Sequence, residues 1–386
     1  MKASFKIDNE KLEANIDLNL ESFVVDSSPR PYEISFTNNI FQKIESEIDL
    51  ENFSYVFFID ENIANIYREE TKFMRNFTYK SFHAVEDLKT VDAAFDLCDL
   101  LLECNANRKT ILYVIGGGIM QDIGAYAAAT FKRGIPWVYV PTTLLGQSDS
   151  CVGGKTGLNY KHTKNLIALF SAPRQVLIDP IFISTLSPND IYSGHGEILR
   201  LVLTGGPEAF KIYKELIKKL KSKDEDFLNP NLGTIEKLIK LSLLIKKSVV
   251  EKDEFEINLR KSMNYGHSIG HAIEILTNHG IPHGQAVAIG ILIENLIAKK
   301  YLSLSENVIK EIHGIAKDII SKESLINLKS ISKKSIIEVM RRDKKVEGKY
   351  LKLATISEYG NMQFIDFPLN DESEKLVNRF INEVIK

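Results

Sequence analysis

Short apolar runs alternate with amphipathic stretches through the first half of the chain, and amphipathic stretches dominate the second. YVFFID (residues 55–60), ILYVIG (111–116), WVYVPTT (137–143) and QVLIDP (175–180) are short, apolar and rich in β-branched or aromatic side chains. Runs of that kind predict strands buried on both faces of a parallel sheet. Between them, TVDAAFDLCDLLLECNA and QDIGAYAAATFKR read as helices. Strands alternating with helices predict an α/β sheet wound by right-handed crossovers. Beyond about residue 185 the character changes. GTIEKLIKLSLLIKKSVVEKDE, GQAVAIGILIENLIAKKYL and SENVIKEIHGIAKDII keep their apolar residues at helical spacing, and a comparable strand signal returns only at YLKLATI near residue 350. The pattern predicts two domains. Residues 1–185 would hold an N-terminal extension and an α/β domain, and residues 186–386 a mostly helical one, with a ligand cleft where they join.

Composition narrows the class without naming a chemistry. The 386 residues suffice for two cores, and 44% hydrophobic with 26% charged residues is ordinary for a globular protein. A formal net charge of −2 offers no global basic field for nucleic acid or anionic membrane. Cys98, Cys104 and Cys151 are too few, and odd in number, for a disulfide framework, which fits a reducing compartment. The opening MKASFKIDNEKLEANIDLNLE is charged and lacks the apolar core of a signal peptide, and no run reaches membrane-spanning length. The expectation is a cytoplasmic protein with no nucleic-acid or membrane partner.

Three stretches carry candidate chemistry. In ILYVIGGGIMQDIGAY, Gly116 to Gly118 lie between a strand and a helix. Glycines there let main-chain N–H groups approach a phosphate, although a tight strand-to-helix turn explains them equally well, and the spacing is not G-x-G-x-x-G. Asp60 ends a strand, where it would take a ribose hydroxyl or cap the next helix. VPTTLLGQSDSCVGGKTGLNYKHTKN (140–165) reads as a long loop holding Thr142, Thr143, Asp149, Gly153, Gly154, Lys155, Lys164 and Asn165. Its hydroxyls and lysines suit phosphate and sugar oxygens, against the alternative of a solvated polar loop.

The third stretch, NYGHSIGHAIEILTNHGIPHG (264–284), holds four of the eight histidines. His267 and His271, four apart, share a helix face, and His283 follows a Gly-Ile-Pro turn. Two or three neutral imidazoles and one carboxylate make a zinc site with an open position. Glu197 in SGHGEILR is a candidate carboxylate, and His279 reads as a solvated turn residue. Spacing alone does not say which of the four histidines bind metal.

With these residues assembled, the chain resembles the 3-dehydroquinate synthase family of sugar phosphate cyclases from about residue 32 to residue 360. The resemblance rests on GGGIMQD, FKRG, PTTLLGQSDSCVGGKTGLN, KN, GEILR, KDE, LRKSMNYGHSIGHAIE, HGQAVAIG and MRRDKK, in the family's order. It implies a nucleotide-binding α/β domain, a helical domain, an active site between them, bound NAD and a divalent zinc (or cobalt) ion. The reaction implied is oxidation by NAD, elimination of phosphate, return of the hydride and aldol ring closure, with no net redox. The implied metal ligands are Glu197, His267 and His283, leaving His271 to the substrate's phosphate. Implied cofactor contacts are Asp60, Asn62, Glu86, Lys89, Gly117, Gly118, Asp122, Thr142, Thr143 and Lys164. Implied substrate contacts are Asp149, Lys155, Asn165, Lys246, Arg260, Asn264 and Lys344 or Lys345. Arg133 matches an arginine that reaches into a neighbouring subunit's site, implying a homodimer.

The chain departs from the family's pattern in two places. Arg200 stands where a substrate-contacting lysine is usual, and Gln285 where glutamate usually follows the metal histidine. An arginine is a planar, permanently charged fork and does not reproduce a lysine contact. KTGLN and the first thirty residues look more like cyclases that act on sedoheptulose 7-phosphate to give valiolone-type cyclitols. Lys246 and Arg260, which in the family hold the carboxylate of 3-deoxy-arabino-heptulosonate 7-phosphate, favour the seven-carbon acid and formation of 3-dehydroquinate. The competing readings are the neutral-sugar cyclase, a metal-dependent polyol dehydrogenase and a non-catalytic scaffold.

Overall fold

The structure is a computed structural model describing residues 1–28, 30–161, 163–221, 227–228, 230–331, 336–342 and 346–385. Lys344 and Lys345 lie outside the described residues. In chain order the strands are β1 (Lys2–Ile7), β2 (Glu10–Asn15), β3 (Ser22–Val25), β4 (Tyr32–Phe36), β5 (Ser54–Asp60), β6 (Thr78–Phe82) and β7 (Thr110–Gly116). They continue with β8 (Trp137–Pro141), β9 (Lys155–Tyr160), β10 (Thr163–Phe170), β11 (Gln175–Ile178), β12 (Val346–Glu347), β13 (Tyr350–Glu358) and β14 (Asn361–Pro368). The chain divides into two units, Asn19–Leu186, and Met1–Leu18 together with Ser187–Lys386. No helix among the described residues is long and apolar enough to cross a membrane.

The unit Asn19–Leu186 is built on a seven-stranded sheet of order β3-β4-β11-β8-β7-β5-β6. Every pairing is parallel except β3 with β4. The four apolar runs of the sequence are the four neighbours β11, β8, β7 and β5, and all seven residues of β7 are buried. Phe57 and Tyr113 stack across β5 and β7 with centroids 5.2 Å apart, one of several aromatic pairs in this core. The helix Gly118–Thr130 lies hard against β7, since a Cβ at Gly124 would come within 2.4 Å of the Val114 side chain. Residues 140–165 are not one long loop. They form a π-helical turn (Gly146–Ser150) and then the antiparallel hairpin β9–β10. Most of β10 is solvent-facing, so polar residues are tolerated there and no apolar alternation announces a strand.

The second unit carries the helices expected beyond residue 185, among them Pro188–Thr204, Leu232–Val250 and His283–Leu302. It also contains a five-stranded sheet, order β12-β13-β14-β1-β2. The N-terminal stretch therefore packs with this unit and not with the α/β sheet. β1 pairs in parallel with β14 (Lys6 with Asn361, Ile7 with Met362) and antiparallel with β2. Gly206, at φ +91°, makes the close approach possible, because a Cβ there would lie 2.6 Å from the Ser4 carbonyl oxygen.

Candidate active site

Glu197 and Arg200 lie one turn apart on the helix Pro188–Thr204, capped at its start by the Ser187 side chain. Both are buried, and Arg200 Nε donates to Glu197 Oε2 at 2.6 Å. The other oxygen, Oε1, has no hydrogen-bond partner among the described residues, and it lies 3.5 Å from His267 Nε2 and 3.1 Å from His283 Nε2. His267 opens the helix His267–Leu276, and His283 opens the helix His283–Leu302. Glycines let the supporting helices close in, since a Cβ on Gly284 would fall 1.8 Å from the Ser193 carbonyl oxygen and one on Gly196 2.0 Å from the Gly284 carbonyl oxygen. Four donors about 2.0–2.1 Å from a tetrahedral zinc stand roughly 3.3 Å from one another, so each of these two separations suits a pair of ligands to one ion. His271 completes a cluster whose three imidazoles place ring nitrogens within 4.8 Å of each other.

The electrostatics are those of tightly packed donors. Burial alone raises the Glu197 carboxyl, but Arg200, His267 and His283 together hold it well below the usual carboxylate range. Burial pushes His267 down to about 3, outweighing the pull of Glu197. For His283 burial is also the largest influence, yet Glu274 and Glu197 more than offset it and lift the ring to about 10.

In the α/β unit the implied cofactor residues also meet. Lys89 Nζ donates to Asp122 Oδ2 at 3.0 Å and to Asn165 Oδ1 at 2.6 Å. Burial raises the Asp122 carboxyl, with Lys89 and the Gly157 N–H pulling the other way. Glu86 Oε1 accepts from Asn159 Nδ2 at 2.8 Å and lies 3.7 Å from both Lys89 Nζ and Lys164 Nζ. Asn165, at φ +53°, is held by its N–H donating to Asn159 Oδ1. Gly117 packs on the Thr143 methyl, while a Cβ at Gly118 would meet nothing within 4 Å, which leaves the start of its helix open to an anion. The Thr142 N–H donates to the Gly116 carbonyl, and Thr143 Oγ1 accepts from the Gly146 N–H.

Two family models match consecutive stretches, 3-dehydroquinate synthase N-terminal over residues 80–193 and 3-dehydroquinate synthase C-terminal over 194–346. The chain belongs to the 3-dehydroquinate synthase family. Within the family, the 3-dehydroquinate synthase of Pelagibacter ubique is 33% identical over 377 residues, covering 93% of this chain and 97% of that protein. That of Streptococcus equi subsp. equi is 30% identical over 366 residues, with the same coverages. Among solved structures, 2-deoxy-scyllo-inosose synthase, complexed with carbaglucose-6-phosphate, NAD+ and Co2+, superposes with a TM-score of 0.78 at 22% identity. It covers 94% of this chain and 99% of that one. The 2-epi-5-epi-valiolone synthase of Streptomyces hygroscopicus subsp. jinggangensis, with NAD+ and Zn2+ bound, gives 0.75 at 20%, covering 92% and 96%. At those identities the likeness shows the family fold alone.

The remaining family positions are placed as follows. Asp60 caps the helix Glu61–Ile66, its Oδ1 accepting from the Asn62 N–H at 2.8 Å. Asp149 sits in the π-helical turn, Lys155 is exposed at the start of β9, and Arg133 is exposed at φ +66° after the helix Gly118–Thr130. In the second unit, Lys246 and Arg260 are buried cations. The Arg260 N–H donates to Asp253 Oδ2 at 2.9 Å, its Nη1 donates to the Glu254 carbonyl, and Asn264 Nδ2 donates to Glu256 Oε1 at 2.9 Å. His279 is exposed in its turn. Gln285 is fully buried, accepting from the Ser321 N–H and Ser324 Oγ, both at 2.8 Å, and donating to Asn189 Oδ1 at 3.2 Å. A glutamate would make the first two contacts and not the third. Sequence reasoning did not single out Asn159, Asp253 or Glu274, although each lies inside or beside a family motif.

Proposed function

We propose that this family member is a phosphate-eliminating cyclase that converts 3-deoxy-arabino-heptulosonate 7-phosphate to 3-dehydroquinate. The observation that supports the reading is that His267 Nε2 and His283 Nε2 both face Glu197 Oε1, at 3.5 and 3.1 Å, a buried carboxylate oxygen with no hydrogen-bond partner among the described residues. When bound, that ion would supply Lewis acidity at a substrate oxygen, and NAD a reversible hydride acceptor. His271, whose ring stacks against His283 at 5.7 Å between centroids, is the imidazole we assign to the phosphate. Lys246 and Arg260, buried cations of the second unit, are assigned to the substrate carboxylate, as the family resemblance implies. Asp149, Lys155, Asn165 and Asn264 are assigned to the sugar hydroxyls and phosphate. Glu86, Lys89, Asp122 and Lys164, linked by hydrogen bonds and short charge contacts, are assigned to the cofactor side with Asp60, Asn62, Gly117, Gly118, Thr142 and Thr143. Arg133 would serve a second copy of the chain, which makes the working form a homodimer. Location in the cytoplasm is supported by Cys98, Cys104 and Cys151, none of which forms a disulfide.

The test is phosphate release by purified protein with NAD and zinc, offered 3-deoxy-arabino-heptulosonate 7-phosphate or sedoheptulose 7-phosphate. The expected result is release with the acid alone. Release with the neutral sugar alone would assign the chain to the valiolone-type cyclases and take the carboxylate role from Lys246 and Arg260. Net NADH from a simple polyol would make it a dehydrogenase.

A further inference from the structure

The two imidazoles that face Glu197 are oriented in different ways. His267 places Nδ1 3.2 Å from the Tyr265 carbonyl oxygen, a main-chain acceptor no substitution can remove. His283 begins its helix, and its Nδ1 lies 2.9 Å from Oε1 of Glu274, a side chain one turn beyond His271 on the neighbouring helix. The Glu274 side chain is 13% exposed, so the contact is largely screened from water. A carbonyl and a carboxylate can only accept, so a neutral ring bonded to either must carry its proton on Nδ1. Both rings then present an Nε2 lone pair, and both Nε2 atoms face the same oxygen, Glu197 Oε1.

We propose that Glu274 is a positioning residue of the metal centre: it holds His283 in the Nδ1–H tautomer, fixes the ring plane and strengthens Nε2 as a donor. The proposal rests on the metal reading of Glu197, His267 and His283. Carboxylates behind metal-binding histidines typically change metal affinity by about 10–100-fold when removed.

The experiment measures zinc affinity directly, by competition with a chromophoric chelator, in metal-stripped wild type and in Glu274→Gln, Glu274→Ala and Glu274→Asp, with Glu306→Gln as an exposed control. Near-UV circular dichroism checks that each variant keeps the native fold. The expected result is a dissociation constant weakened about 10–100-fold in Glu274→Gln and at least as much in Glu274→Ala. Glu274→Asp should recover part of the loss, and Glu306→Gln should match wild type. Wild type that binds zinc alongside folded Glu274→Gln of equal affinity would overturn the proposal and leave the metal reading standing. Wild type that binds no zinc would overturn the metal reading, and the proposal with it.

Discussion

Arg200 Nε donates to Glu197 Oε2 within one helix, at 2.6 Å, with both side chains shut off from water. The guanidinium that stands at the family's lysine position is thus engaged with the carboxylate that we assign to the metal. In the zinc-free protein, Arg200→Met would remove the fixed cation from the buried carboxylate and leave the His283 ring as its counter-charge, a loss of about 3 kcal/mol, the low end for breaking a buried pair. Bound zinc would neutralise the same carboxylate. Urea denaturation should therefore show a large loss without zinc and a much smaller one at saturating zinc. Equal losses under the two conditions would mean that Glu197 does not share its charge with an ion.

The three clustered imidazoles divide by what they face. His267 and His283 point Nε2 at Glu197, whereas His271 packs its ring against the other two, at centroid distances of 5.2 and 5.7 Å. Elemental analysis should find about one zinc per chain in wild type and in His271→Asn, and well under a tenth of that in His267→Ala or His283→Ala. His271→Asn should nevertheless lose most phosphate release, on the order of 100-fold. Zinc lost from His271→Asn, with the fold intact, would make His271 a ligand.

His195 makes the stability of its unit sensitive to acid. It is fully buried and edge-on to Phe227 at 4.6 Å, and neither ring nitrogen has a hydrogen-bond partner among the described residues. Burial pushes its pKa down to about 3, below the ordinary 6.5. A base with a depressed folded-state pKa stabilises the fold in its neutral form. That contribution is complete above about pH 6.5 and is lost as pH falls toward 3, at up to about 1.4 kcal/mol per unit. His195→Phe should remove this slope, so wild type should lose about 2 kcal/mol more than the variant between pH 7 and pH 5, by urea denaturation with a chelator present. Parallel losses in the two proteins would show that His195 titrates normally.

The central sheet was legible because β5, β7, β8 and β11 are covered on both faces and so read as unbroken apolar runs. β1 and β2 were not, because each is six residues long with charged residues on its open side (Lys2 and Lys6 in β1; Glu10, Lys11 and Glu13 in β2), and the further partner of β1, β14, lies more than three hundred residues away. β9 and the first residues of β10 read as loop because the chain up to Asn165 is rich in Gly, Thr, Asn and Lys and shows no apolar alternation, although Thr156, Gly157 and Leu158 of β9 are buried. At the candidate site the residue types were legible and their pairings were not. Glu274 stands within GHAIE and Asn159 within KTGLN, but that one faces His283 and the other ties Glu86 to Asn165 depends on packing between separate elements. The sequence places Gln285 two residues after His283 and does not say what it faces; in the fold it bonds to Ser321, Ser324 and Asn189.

The pairing of β1 with β14 gives the two units different schedules during synthesis. Asn19–Leu186 is continuous, so all of its strands are available once the first half of the chain has emerged from the ribosome. The other unit takes β1 and β2 from before that segment and β12, β13 and β14 from far beyond it, so its sheet closes only when β14 is made. Until β14 arrives, the β1–β2 hairpin is an unpaired edge waiting on the nascent chain, and a change that weakens that hairpin would burden the slower unit while sparing the faster one.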